Sequence, residues 1–228
     1  MLLCETVKDQ GLVQKKCNNK RRMKQKFSAI HLDENATSSF NELCLKIVQL
    51  IACTIDSETP VKLAAISSLE VLSKELASEN LIFSTCLACV VKYIGSADLA
   101  ISSACIRSTG ALINVLGSKA LSHLPHIMKH MLERAHEISY CPGGSSKYSN
   151  VKTSDGVLNH NLPIMLSIIV TLEAIIVNLG GFLNPYLDDI LDLIILHPEY
   201  VLESDAKIKL RAATVRKLLT EKIPVCFL

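Results

Sequence analysis

Seven cations stand between Lys15 and Lys26 with no acidic residue among them: Lys15, Lys16, Lys20, Arg21, Arg22, Lys24 and Lys26. A cluster this dense can neutralise phosphates and release their counterions, which gives salt-sensitive, sequence-blind RNA contact. The same run reads as a nuclear or nucleolar import signal. The plainer alternative is a solvated charge run. No aromatic residue interleaves the cations and Phe27 only follows them, so base stacking is not indicated.

The other chemistry-bearing residues read as structural. Lys207, Lys209, Arg211, Arg216, Lys217 and Lys222 flank an apolar stripe of Ile208, Ala212, Val215 and Leu219, which is the pattern of a solvated helix exterior. Cys86 and Cys89 form a CxxC, but no second CxxC lies at zinc spacing, and the pair sits in an apolar helical run as buried thiols would. His123, His126 and His130 follow i, i+3, i+7 spacing on one helical face, with Pro125 between them and no HExxH. Asp188, Asp189 and Asp192 have the spacing of an exposed helix face. Gly143-Gly144 is not followed by GK[ST], and no GxSxG occurs. The residues therefore name no catalytic, cofactor-binding or metal-ligating set. A non-enzyme without a cofactor or small-molecule substrate is expected.

The elements that carry these residues are helical. Hydrophobic residues make up 49% of the 228 and aromatics 4%, with no Trp. That balance suits interlocking aliphatic helices better than strands. Residues 1–35 are polar and basic and read as a disordered arm, a segment without sustained apolar period. Outside the cation cluster, 17 Lys and Arg face 22 Asp and Glu, so the body is mildly acidic. Helical periodicity predicts helices over about 37–54, 59–78, 80–94, 98–116, 119–138, 162–179, 185–196 and 205–222. Residues 139–158, rich in Gly, Ser and Asn, read as a loop insertion. Nine scattered Cys with no signal-peptide pattern point to a reducing compartment. Leu162–Leu183 is long enough to span a bilayer, but Pro163, Glu173, Asn178 and Gly180-Gly181 favour a buried central helix.

The chain also echoes itself. Ala111-Leu112-Ile113-Asn114-Val115-Leu116-Gly117 matches Ala174 to Gly180, 63 positions on, and Leu124, Ile127 and Met128 then fall on Leu187, Ile190 and Leu191. Without the roughly 20-residue loop the period lies inside the 40–47 range of HEAT and armadillo repeats. Val61 to Ala65 likewise echoes Ile208 to Ala212. The expected architecture is all-α, a HEAT/armadillo-like α-solenoid of about four helix pairs over 36–225. The apolar end Val225 to Leu228 is expected to belong to a slice of a longer array.

Ser102 to Glu137 and Leu202 to Val225 resemble the HEAT-repeat protein of the small-subunit processome, the U-three small nucleolar RNA-associated protein ten family, and its plant-type members above all. The resemblance spans roughly residues 35–225 and consists of repeat positions, with no catalytic motif. It implies a scaffold in the nucleus and nucleolus, acting in early pre-ribosomal RNA processing. The implied partners are protein components of the processome, with pre-ribosomal or small nucleolar RNA as a further partner and no membrane. The competing expectation is a cytoplasmic HEAT-repeat adaptor for transport or phosphatase-type assemblies.

Overall fold

A continuous aliphatic core runs through every helix pair, and the caps and turns around it decide where each helix stops. The computed structural model describes residues 34–53, 59–75, 81–139, 162–193 and 206–223. Residues His31–Leu228 form one compact unit, which contains all of these. The seven cations of the basic segment, most of the 139–158 loop and the Val225 to Leu228 end lie outside the described residues.

Eight α-helices are found among the described residues: α1 Glu34–Ala52, α2 Thr59–Glu75, α3 Ile82–Val91, α4 Leu99–Leu116, α5 Leu124–Ser139, α6 Leu162–Leu179, α7 Leu187–Leu191 and α8 Ala206–Lys222. No strand occurs among the described residues, and the fold class is all-α. Most helix bounds agree with the periodicity to within a few residues, the scatter expected where helix ends fray. Two differ for local reasons. The helix expected over 119–138 is split, because Gly117 takes φ 53 at the end of α4 and the chain continues as a 3-10 helix to His123. Only then does α5 begin, with Pro125 at its second position, where a missing N–H costs nothing. The helix expected over 185–196 is a 3-10 turn Asn184–Tyr186 followed by the short α7.

Capping explains the sharp start of α4. The Asp98 carboxylate accepts from the backbone N–H of Ala100 at 2.8 Å and of Ile101 at 3.2 Å, satisfying two of the donors a helix start leaves open. The turn before it is tied at two more points. Ser102 donates its hydroxyl to the Ile94 carbonyl, and the nearly buried Arg134 donates to the Ser96 carbonyl at 2.6 Å.

The helices pack in two rows. In the first, α4 lies against α2, α6 against α4 and α8 against α6, and α4 with α6 is the most extensive contact of all. In the second, α1 lies against α3, and α3 touches α5. Each row covers the other: α1 packs on α2 and α3 on α4. A helix placed between two neighbours and a second row must be apolar almost all round. That is why α6 buries eleven side chains, including Ile168, Leu172 and Ile175. It is also why the Leu162–Phe182 run, long and apolar enough to cross a membrane, is 61% buried within the fold.

Small residues let the first row approach closely. A Cβ added to Gly110 of α4 would stand 2.9 Å from the Thr171 hydroxyl and 3.2 Å from the Thr171 Cα of α6. The backbone contact cannot relieve itself by a rotamer change. Gly110→Ala is therefore expected to destabilise the fold by about 1–3 kcal/mol, the usual range for overpacking. Gly181→Ala meets nothing within 4 Å and should leave the melting temperature nearly unchanged. Thermal unfolding of both variants followed by circular dichroism tests this, and equal melting temperatures would contradict the close α4–α6 packing.

Candidate interaction surface

The outer face of the first row carries the most ordered polar chemistry among the described residues. On α4 the exposed positions fall on one stripe, Ala100, Arg107 and Asn114, at i, i+7 and i+14. Each polar member of this stripe reaches a neighbouring helix. Arg107 Nε donates to Glu70 of α2 at 3.4 Å, and Asn178 of α6 donates its amide to Asn114 Oδ1 at 2.9 Å. One helix further on, Arg211 of α8 donates to Glu173 of α6 at 2.8 Å. The two Glu–Arg pairs bridge successive helices of the row in the same sense, from acid on one helix to base on the next.

The pairs differ in electrostatics. Partial burial opposes ionisation of Glu70, but Lys74 at 2.8 Å and Arg107 together outweigh it and hold the carboxyl below its ordinary value. Glu173 is more enclosed, with 15% of its side chain exposed, and its Oε1 is buried without a hydrogen-bond partner while Oε2 meets Arg211. An enclosed carboxylate with one charged partner depends heavily on that partner.

Below this face, hydroxyls bond across the helices. Ser108 of α4 donates to the Ile66 carbonyl of α2 at 3.0 Å, and Thr171 of α6 donates to the Ile106 carbonyl of α4 at 2.7 Å. Ser103 and Ser167 are 2.9 Å apart, and Ser167 donates to the Pro163 carbonyl at 2.7 Å. Where α2, α4 and α6 meet there is an open groove of about 430 Å³, lined by Leu63, Ser67, Ala100, Ser103, Arg107 and Pro163 among others. Its floor is apolar and small, and its charged group, Arg107, is already engaged by Glu70.

The other residues singled out by sequence separate here. All six cations of α8 are on its solvent side, exposed or half-buried, while Ile208, Ala212, Val215 and Leu219 are buried. Arg211 is committed to Glu173, and Lys217 lies 3.7 Å from Glu221. The three histidines do not share one helix. His123 ends the 3-10 segment and its Nε2 stands 3.0 Å from the Ser84 hydroxyl, whereas His126 and His130 lie on α5, with His130 3.4 Å from Glu133. Burial, aided by His126, pushes the His123 pKa down. Asp188, Asp189 and Asp192 are exposed. Sequence reasoning missed the Glu70–Arg107 and Glu173–Arg211 bridges. Their members lie 37 and 38 positions apart, a near-period spacing of opposite charges that could have revealed them.

The CxxC lies in the other row. Cys86 and Cys89 of α3 are buried together with Cys44 of α1, beside the edge-to-face rings of Phe40 and Phe83 at 5.8 Å. Cys89 directs its thiol to the Val48 carbonyl at 3.8 Å. The neighbouring Cys44 thiol and burial hold the Cys86 thiol far above its ordinary range, and burial pushes Cys105 up to about 12. These thiols have the character of packed apolar groups.

Two outcomes are expected. Arg211→Met should cost about 1–2 kcal/mol by leaving the Glu173 carboxylate unpaired, and Glu173→Gln in the same chain should recover part of that loss. A double-mutant cycle by urea unfolding measures the coupling, and strictly additive effects would refute it. At pH 8 the Cys86, Cys89 and Cys105 thiols should resist a thiol reagent in the folded chain and react at once in denaturant. Peptide mapping of the labelled sites reads this directly.

Comparison with known proteins gives one informative match. No protein-family profile matches the chain. An uncharacterized protein of Arabidopsis thaliana is 46% identical to it over 228 residues, an alignment that covers 98% of this chain and 10% of that relative. The chain thus spans about a tenth of the length of the relative it matches.

Proposed function

We propose that the chain is a non-catalytic scaffold of the HEAT/armadillo class that works in nucleolar ribosome biogenesis. The observation that carries the scaffold reading is recurrence. Three successive helix contacts, α2–α4, α4–α6 and α6–α8, are each built on the preceding helix through polar bridges at related positions. A row that propagates by nearest-neighbour contacts presents a long, rigid surface, which is what stacked helical repeats use to hold partners.

The nucleolar part of the reading rests on the resemblance carried by Ser102 to Glu137 and Leu202 to Val225, and on the seven cations from Lys15 to Lys26. In this reading the helical body binds protein components of the small-subunit processome. The basic segment directs the chain to the nucleolus and meets pre-ribosomal or small nucleolar RNA. The charge distribution fits that division, since the cations concentrate in the basic segment while acids and bases nearly balance in the helical body.

A tagged chain expressed in nucleated cells tests the proposal, beside a variant with all seven cations changed to Gln. The unaltered chain should concentrate in nucleoli and crosslink to small-subunit processome proteins, and the variant should lose most of the nucleolar signal. Uniform cytoplasmic distribution of both would overturn the proposal in favour of a cytoplasmic adaptor.

A further inference from the structure

The second row holds the CxxC that the scaffold reading leaves unused, and the register of α1 on α3 assigns that motif a partner. Two contacts fix this register. The rings of Phe40 and Phe83 meet edge to face at 5.8 Å. Further along both helices the Cys89 thiol reaches the Val48 carbonyl at 3.8 Å. Cys44 lies one turn after Phe40 and one turn before Val48 on α1. Cys86 lies one turn after Phe83 and one turn before Cys89 on α3. The order of the two contacts makes the helices run the same way, so Cys44 and Cys86 face each other between them. Both are fully buried.

The register also separates the two cysteines of the motif. Cys89 is directed at the α1 backbone one turn beyond Cys44. The thiol that acts most strongly on Cys86 is Cys44, across the helix boundary, and Cys89 acts on it less. Ionisation is divided unequally within the pair. The S–H of Cys86 stabilises a Cys44 thiolate and lowers the Cys44 pKa despite burial, whereas the same contact and then burial hold Cys86 up. Cys44 is therefore the readier nucleophile, with a second thiol beside it to resolve what it forms.

We propose that Cys44 and Cys86 form a redox clamp, closed to an α1–α3 disulfide by a small peroxide and reopened by a thiol reductant. Burial excludes alkylating reagents of ordinary size, but hydrogen peroxide is little larger than water, and brief local opening of a helix admits it. The Cys44 sulfur attacks one peroxide oxygen, the O–O bond breaks, water leaves, and Cys44 becomes a sulfenic acid. The Cys86 sulfur then attacks the Cys44 sulfur. The S–S bond forms, the S–O bond breaks, and the hydroxyl leaves as water with the Cys86 proton. The two thiols thus give up two electrons and two protons, and one peroxide becomes two waters. Because α2 lies between the two cysteines in the chain, the closed clamp encloses it, and α1 can leave α3 only after reduction. This inference does not rest on the nucleolar reading.

The test treats the reduced, folded full chain with millimolar hydrogen peroxide, blocks the remaining thiols in denaturant and maps the peptides by mass spectrometry. The expected product is a monomer with one internal link between Cys44 and Cys86, lighter by two hydrogen atoms than the reduced pair. Cys86 and Cys89 share one tryptic peptide, so the map is repeated on Cys89→Ser, which should form the same link. The melting temperature should rise by about 5–10 °C on oxidation. The rise should vanish when dithiothreitol is present and be absent from Cys44→Ala. If Cys44→Ala fails to fold by circular dichroism, Cys86→Ala replaces it. A Cys86–Cys89 link, a link between chains, or conversion of Cys44 to sulfinic acid in place of a link overturns the proposal. So does peroxide treatment that oxidises the more exposed Cys53 and leaves Cys44 and Cys86 as free thiols.

Discussion

From α2 to α6 the register of the first row is set by hydroxyl-to-carbonyl bonds that join one helix to the next. Ser108 on α4 and Thr171 on α6 each donate to a backbone carbonyl of the preceding helix. A helix carbonyl already accepts an intrahelical bond, so the added bond uses its second lone pair and does not break the helix. Each such bond contributes only about 0.5–1.5 kcal/mol, but it fixes which turn of one helix faces which turn of the next. Aliphatic packing alone would tolerate a slide of one turn. The bond also requires close approach, and that requirement explains the small residues around it: Gly110 against Thr171, and Ser103 against Ser167. The Glu70–Arg107 and Asn114–Asn178 bridges fall into place once this register is set, and the Glu173–Arg211 pair bridges α6 and α8.

Much of this was legible in the sequence because helical periodicity is a one-dimensional property. Ile208, Ala212, Val215 and Leu219 read as one buried stripe and are buried. The 63-residue echo also survives in three dimensions. Leu112, Ile113 and Leu116 are buried in α4, and their counterparts Ile175, Ile176 and Leu179 are buried in α6. What the sequence did not disclose is where one pattern yields to another. Gly117 was legible as a stop, but the 3-10 path to His123 depends on the backbone turning at φ 53, and that moves His123 off the helix that holds His126 and His130. The second echo pairs Val61 with Ile208, yet one is exposed and the other fully buried. Two similar residues at matching positions differ in the neighbours that the described helices give them. That is a fact of neighbours, and a local pattern cannot contain it.

The buried hydroxyls of the core serve helix packing. Ser103, Ser108, Ser167 and Thr171 are buried, and each is hydrogen-bonded to a carbonyl or to another hydroxyl. A serine nucleophile needs a base positioned to take its proton, with a third group orienting that base. These hydroxyls spend their protons on helix packing. The same holds for charge. Glu70, Arg107, Glu173 and Arg211 face outward along the row, but each is joined to an opposite charge on a neighbouring helix. A partner docking on this face meets a nearly neutral, rigid relief of Ala100, Val170, Val177 and amide groups, with a groove beside Ser103. Recognition there would depend on shape and apolar contact more than on charge.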